Sequence, residues 1–212
     1  MLAGVDEAGR GPVLGPLVVA GVLVESDKPL RKLGVKDSKL LSPKKREELA
    51  PKIREAALRV ELRVIPAEEL NVRMPGQNLN EIEVHAFAEI LERLAPKTAI
   101  VDACDVNAAR FGQNVAKRVT HPVVIKSLHE ADAKHPIVGA ASIVAKVERD
   151  RLMAELRAAH GECGSGYSHD VVTQEWLKAY VASRKALPAF ARREWETARR
   201  LVPRDHTLLE FS

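Results

Sequence analysis

The stretch GVDEAGRGPVLGPLVVAGVLV, residues 4–24, places two adjacent acids, Asp6 and Glu7, between an apolar start and a long uncharged run. Residues 13–24 are too continuously apolar for a strand with one wet face. They read as a strand buried on both faces of a layered fold. Carboxylates at the mouth of such a sheet need a reason, because like charges in an apolar setting repel unless something positive sits among them. The glycines between acids and strand, Gly9 and Gly11 around Arg10, let bare backbone approach a ligand closely. Their G-x-G-x-x-x-G spacing, running into a strand and not a helix, does not fit a dinucleotide-binding turn.

Working outward, Ser42 and Pro43 open a helix that Pro51 should kink or restart. Residues 57–65 alternate Leu58, Val60, Leu62 and Val64 against Arg59, Glu61 and Arg63, a half-exposed strand. Asn80 and Glu83 have capping-box spacing ahead of a helix carrying Phe87, Ile90, Leu91 and Leu94. TAIVD (98–102) and PVVIKSL (122–128) read as short buried strands around a helix near residues 108–118. A long helix over about 137–159 and two basic helices broken near Pro188 complete an α/β fold with a mixed sheet. Three acids then fall at apolar strand ends: Asp6, Asp102 and, just beyond the third strand, Asp132. Strand ends are where ligands gather in such sheets. Glu7 joins them if the strand twists or stops there, since neighbouring strand residues point to opposite faces. Four carboxylates select a hard divalent cation, Mg²⁺ or Mn²⁺, and two such ions can clamp a phosphodiester.

The 212 residues are 46% hydrophobic and 29% charged, which suits a globular domain with a small appendage. Cys104 and Cys163 stand far apart and read as reduced thiols, not a zinc or disulfide framework. The longest apolar run is interrupted by Gly and Pro and is shorter than the ~20 residues a membrane helix needs. The start carries acids and no basic leader, so a cytoplasmic protein is expected. Net charge is +4, and residues 176–204 hold eight Lys/Arg (Lys178, Arg184, Lys185, Arg192, Arg193, Arg199, Arg200, Arg204) against Glu194 and Glu196. That basic end reads as a polyanion-binding surface, with a solvated helix face as the plainer alternative.

GVDEAGRGPVLGPLVVA, KDSKLLS, AASIVAKVERDR and GSGY, in that order, resemble ribonuclease HII in its archaeal form. The resemblance implies a ribonuclease H-like mixed central sheet flanked by helices, with a small C-terminal helical lobe. It implies a catalytic domain over 1–171, a basic substrate-binding lobe over 172–204 and a tail over 205–212. It also implies two-metal endonucleolytic hydrolysis of the RNA strand in RNA–DNA hybrids, and of duplex DNA 5′ of embedded ribonucleotides, leaving 5′-phosphate and 3′-hydroxyl. Asp6, Glu7, Asp102 and Asp132 match the family's acids, Gly9, Arg10 and Gly11 its Gly-Arg-Gly loop, and Tyr167 its substrate-sensing tyrosine. The loop would present backbone to the 2′-hydroxyl, the group that separates RNA from DNA.

Lys36, Ser38 and Lys39 are candidate phosphate contacts or simply a turn before Ser42, and Lys146 is placed to face the cleft. His129 and His135 flank Asp132 and stay outside the metal set; His129 is a candidate for proton transfer. Two departures stand out. Glu130 occupies a position where the family usually carries Lys, and Ser168-His169 replaces a Pro-containing turn. In the tail, Leu208 and Phe211 have the spacing of a sliding-clamp motif, with Asp205 where its glutamine would be; a frayed terminus is the alternative. A monomer is expected. A non-catalytic nucleic-acid-binding protein of the same fold is the competing reading; it would not need four acids.

Overall fold

The computed structural model describes residues 1–35 and 40–202. Lys36, Ser38, Lys39, Leu208 and Phe211 lie outside them. The chain divides into two compact units that alternate along the sequence. One holds residues 1–8, 17–64 and 77–150, and the other residues 9–16, 65–76 and the described chain from 151 on.

The first unit is built on a five-stranded mixed sheet in the order β3-β2-β1-β4-β5. Its strands are β1 (Leu2–Ala8), β2 (Leu17–Val24), β3 (Arg59–Ile65), β4 (Thr98–Asp102) and β5 (Val124–Leu128). β2 runs antiparallel to β1, while β4 and β5 run parallel to it. β2 is buried along its whole length, as its unbroken apolar sequence predicts, but it begins at Leu17 and not at Val13. β3 sits at one edge and is half-buried along most of its length, but its burial does not alternate as the sequence does, and Leu58 lies before the strand, 55% exposed. β5, expected buried, is the opposite edge strand, with Val124 69% exposed. A short apolar run fits an edge as well as a centre, and periodicity alone does not separate them.

Helix α1 (Lys28–Lys32) follows β2, and α2 (Pro43–Ala56) begins on Ser42, whose side chain accepts from the Lys45 amide at 3.2 Å. The expected restart at Pro51 does not occur. Pro51 is exposed, so the carbonyl it leaves without a helical partner faces water. After α3 (Ala67–Arg73), helix α4 (Leu79–Leu94) starts two residues earlier than the sequence suggested. Its capping box is Asn78 with Glu81, not Asn80 with Glu83. Then come α5 (Ala108–Ala116), the short α6 (Ala131–Lys134) and the 25-residue α7 (Pro136–His160).

Alternate residues of β1 face different helices. A Cβ on Gly4 would lie 2.5 Å from the carbonyl carbon and oxygen of Ile137, so only glycine lets α7 come this close to the strand. Across the ladder, Gly21 pairs with Val5, and a Cβ on Gly21 would lie 2.3 Å from Ile90 of α4. Gly4 and Asp6 therefore look toward α7, and Val5 and Glu7 toward α4.

The second unit packs Val13, Leu14, Met153, Cys163, Leu177, Phe190, Ala191 and Ala198 into its own core, with Trp176 and Trp195 partly buried against it. Its helices include α8 (Val171–Arg184) and α9 (Glu196–Leu201). Arg192, counted above among the basic surface residues, is fully buried here. Among the described residues no helix is long and apolar enough to cross a membrane.

Candidate active site

In the first unit, parallel pairing aligns the acids. Val5 pairs with Val101, so the next residues on the two strands are Asp6 and Asp102. Asp102 pairs with Leu128, and the chain leaving β5 turns through Glu130 into α6, which carries Asp132. Asp102 Oδ1 accepts the amide of Ala131 at 3.0 Å, tying the start of α6, one residue from Asp132, to the end of β4. Asp132 is 2% exposed and Asp6 4%.

Asp6 Oδ1 accepts the backbone N–H of Glu7 at 2.7 Å. Burial pushes the Asp6 carboxyl well above the usual carboxylate range, with Glu7 and Asp102 adding to the push. A hydrogen bond from Ser142 on α7 and the Glu7 amide act the other way. Glu7 is raised to about 7, by burial first and by Glu83 second, while hydrogen bonds from Cys104 and with Asp6 oppose the shift. The strand does not stop at Glu7, since β1 runs to Ala8. The Glu7 charge nevertheless raises the Asp6 carboxyl, and the Asp102 charge raises both. The Ala131 amide that donates to Asp102 is one residue from Asp132 in the chain.

Two neighbours were missed from the sequence. Glu83 is wholly buried on α4, and its carboxyl, that of Glu7 and the Cys104 thiol lie within 4.8 Å of one another. Cys104 Sγ donates to Glu7 Oε2 at 3.2 Å, and burial pushes the thiol well up, so it stays protonated. The signal for Glu83 was its spacing: 83, 87, 90 and 94 share one helical face, and an acid on an apolar stripe is unusual. On α7, Lys146 Nζ donates to Ser142 Oγ at 2.9 Å, one hydroxyl away from Asp6. His129 and Glu130 are exposed, and Glu130 takes a left-handed conformation with φ 54° at the start of α6. Burial and the nearby Lys126 hold His135 below the usual histidine range.

The Gly-Arg-Gly loop and Tyr167 both belong to the second unit. Gly9 has φ 89°, a left-handed backbone that favours glycine. Arg10 and Gly11 are exposed. The Tyr167 ring lies beside Gly11, 3.8 Å from where a Cβ on that glycine would stand. His169 packs on Tyr167 at a centroid distance of 5.4 Å, so the Ser168-His169 turn supplies a ring at this place. Of the basic helices, Arg199 pairs with Glu194 and Arg200 with Glu196.

The donor set suits a hard cation. Asp6, Glu7, Asp102 and Asp132 would offer only oxygen, and the repulsion among Asp6, Glu7 and Asp102 would fall with a divalent ion among them. The group whose ligand atoms lie within 4.8 Å of one another among the described residues is Glu7, Glu83 and Cys104. The Cys104 thiol is a soft donor, and its hydrogen bond to Glu7 orients that carboxylate.

A family model described as ribonuclease HII matches residues 3–198. A ribonuclease HII from Methanocella arvoryzae is 48% identical over 205 residues, covering 95% of this chain and 91% of its own. The crystal structure of a ribonuclease H2 from Pyrococcus horikoshii superposes with a TM-score of 0.89 at 40% identity, covering 95% and 96% of the two chains. That of a ribonuclease HII from Archaeoglobus fulgidus, solved in complex with PCNA, gives 0.86 at 46% identity over 92% and 95%.

Proposed function

The chain belongs to the ribonuclease HII family of metal-dependent endoribonucleases, and from that premise we propose which of its residues perform the reaction. The observation that carries the assignment is the parallel register that sets Asp6 beside Asp102, with Glu7 next to Asp6 in the chain and buried Asp132 next to Ala131, whose amide donates to Asp102. These four hold divalent cations, Mg²⁺ or Mn²⁺ and two of them with substrate bound. The ions supply activation of the attacking water and stabilisation of the leaving oxygen.

The protein's own groups do the rest. Glu83 and Cys104 hold the Glu7 carboxyl from the α4 side, while Ser142, itself bonded by Lys146, holds Asp6. The Gly-Arg-Gly loop, which begins two residues beyond Glu7 in the chain, offers backbone donors to the 2′-hydroxyl, and Tyr167 gives the neighbouring sugar a flat surface. The helical lobe over 172–204 contributes cations that hold the duplex without reading its sequence. The substrates are RNA–DNA hybrids and DNA duplexes with embedded ribonucleotides. Cleavage falls on the 5′ side of the ribonucleotide and leaves 5′-phosphate and 3′-hydroxyl ends. The relative from A. fulgidus was solved with PCNA; here we assign sliding-clamp binding to Leu208 and Phe211 of the tail.

The decisive assay uses a DNA duplex carrying one ribonucleotide, with and without chelator. The expected result is a nick 5′ of the ribonucleotide that chelator abolishes. Asp102→Asn should abolish the nick and leave duplex binding largely intact. An Asp102→Asn protein that still cuts at the wild-type rate overturns the site assignment.

A further inference from the structure

The most constrained side chain of the second unit is Arg192, a guanidinium with no exposure at all. A buried charge is tolerable only when its donors are met. Here they are met by backbone carbonyls of one loop. Arg192 donates through Nη2 to Gly9 O at 2.6 Å, through Nη1 to Arg10 O at 3.1 Å and through Nε to Gly15 O at 2.9 Å. Trp195, whose ring lies 4.8 Å from the guanidinium carbon, donates Nε1–H to Gly11 O at 2.9 Å. The carbonyls of Gly9, Arg10 and Gly11, three in succession, are thus all held by two side chains of one short segment.

That segment is itself pinned. Asn71 on α3 donates to Ala191 O and accepts from the Arg193 amide, both at 2.8 Å, and Arg192 N–H donates to Val13 O at 2.8 Å. Leu14 and Ala191 form an isolated bridge. The guanidinium therefore projects from a backbone fixed on both sides.

In a planar trans peptide the C=O and the following N–H point in opposite directions, and the described chain contains no cis bond. Holding Gly9 O and Arg10 O against the guanidinium therefore turns the Arg10 and Gly11 N–H groups away from it. Those two residues are exposed, and the Tyr167 ring borders Gly11 on the same loop. We propose that Arg192, seconded by Trp195, is a positioning residue that aims the Arg10 and Gly11 N–H donors at the ribose 2′-hydroxyl. This rests on the reading of the Gly-Arg-Gly loop given above. Arg192 touches no substrate. Its work is to remove the loop's freedom before the duplex arrives, so that ribose recognition does not lose affinity to ordering.

A residue that merely knits the unit together would change stability, or the affinity for every duplex alike. A positioning residue changes the preference for ribose. The test compares dissociation constants for two duplexes of one sequence, one with a single ribonucleotide and one all DNA, with Ca²⁺ in place of Mg²⁺ so that binding is read without cleavage. Wild-type protein should favour the ribonucleotide duplex. Arg192→Lys keeps the charge but not the fork, and should lose roughly tenfold of that preference, the scale of one to two hydrogen bonds. Its affinity for the all-DNA duplex should be unchanged. Trp195→Phe keeps a ring under the guanidinium and removes only the donor to Gly11 O, so a smaller loss of preference is expected. It decides the matter if Arg192→Lys does not fold. Variants that retain the wild-type preference, or weaken both duplexes equally, overturn the role of Arg192 alone. A wild-type protein indifferent to the ribonucleotide overturns the loop reading beneath it.

Discussion

Replacing Glu83 with Gln removes a like charge from beside Glu7 while keeping the shape of the α4 face. Glu7 stands at about 7 against an ordinary 4.5, and each unit of displacement corresponds to about 1.4 kcal/mol. The whole shift is thus about 3 kcal/mol, and partial exposure of Glu7 trims it through solvent screening. Burial is the largest cause and Glu83 the second, so about 1 kcal/mol falls to Glu83. A carboxyl raised on folding contributes stability that is fully present below its unfolded value and is lost as pH climbs through the folded one. For Glu7 that window runs from 4.5 to about 7. The metal-free wild type should therefore be less stable at pH 8 than at pH 5. Glu83→Gln should recover about 1 kcal/mol at pH 8, a rise in Tm of roughly 2–4 °C for a chain of this size, and gain nothing at pH 5. Mg²⁺ should raise the wild-type Tm more at pH 8, where the carboxylates are ionised, than at pH 5. The assay is thermal unfolding of chelated and Mg²⁺-loaded protein at the two pH values. A Glu83→Gln protein destabilised equally at both would show that Glu83 only packs, and that repulsion in the cluster is not what a cation relieves.

Two further substitutions test the frame around the site. Gly4→Ala drives a methyl to 2.5 Å from the Ile137 backbone and should cost about 1–3 kcal/mol or more in urea unfolding, because backbone does not yield as a side chain does. Wild-type stability in that variant would refute the close packing of α7 on β1. Asp170, held down to about 2 by the Ser165 hydroxyl and amide and the Val172 amide, contributes stability that is present above 3.8 and lost as pH falls through 2. Asp170→Asn should therefore lower Tm at pH 6 and flatten its fall between pH 4 and pH 2; parallel profiles for the two proteins would exclude that role.

What was legible beforehand was whatever rests on local pattern. β2 shows its double burial in an unbroken apolar run, β3 its strand character in alternation, and α2 its start in Ser42-Pro43. Asp6 and Asp102 were readable together because a parallel sheet sets neighbouring strands side by side, whatever the distance along the chain, whereas Asp132 sits on α6, beyond the strand the sequence pointed to. The misplaced capping box of α4 and the absent restart at Pro51 are local misreadings. The errors in burial share another cause, which is that partners distant in sequence decide the outcome. PVVIKSL became an edge because nothing pairs beyond it among the described strands, a property of the sheet and not of the segment.

Glu83 and Arg192 carry that point furthest, because each was assigned the usual role of its residue type. Glu83 fits a capping box by spacing, yet Asn78 and Glu81 already satisfy the first turn of α4, which leaves Glu83 on the apolar stripe with Glu7 before it. Arg192 sits in a basic run and counts as surface charge until the carbonyls of Gly9, Arg10 and Gly15 are seen to surround it. Neither partner can be found by composition or periodicity, since Glu7 lies 76 positions from Glu83 and Gly9 lies 183 from Arg192. Arg192 can be this deeply buried because the tertiary structure supplies its acceptors, whereas Glu83 meets a like charge in Glu7, which a cation would relieve. An ionisable residue on an apolar face, or one breaking an otherwise solvated run, is therefore the place where a single sequence asks for a distant partner. In this chain both such places lead to DEAGRG, the segment that joins the acid cluster to the glycine loop.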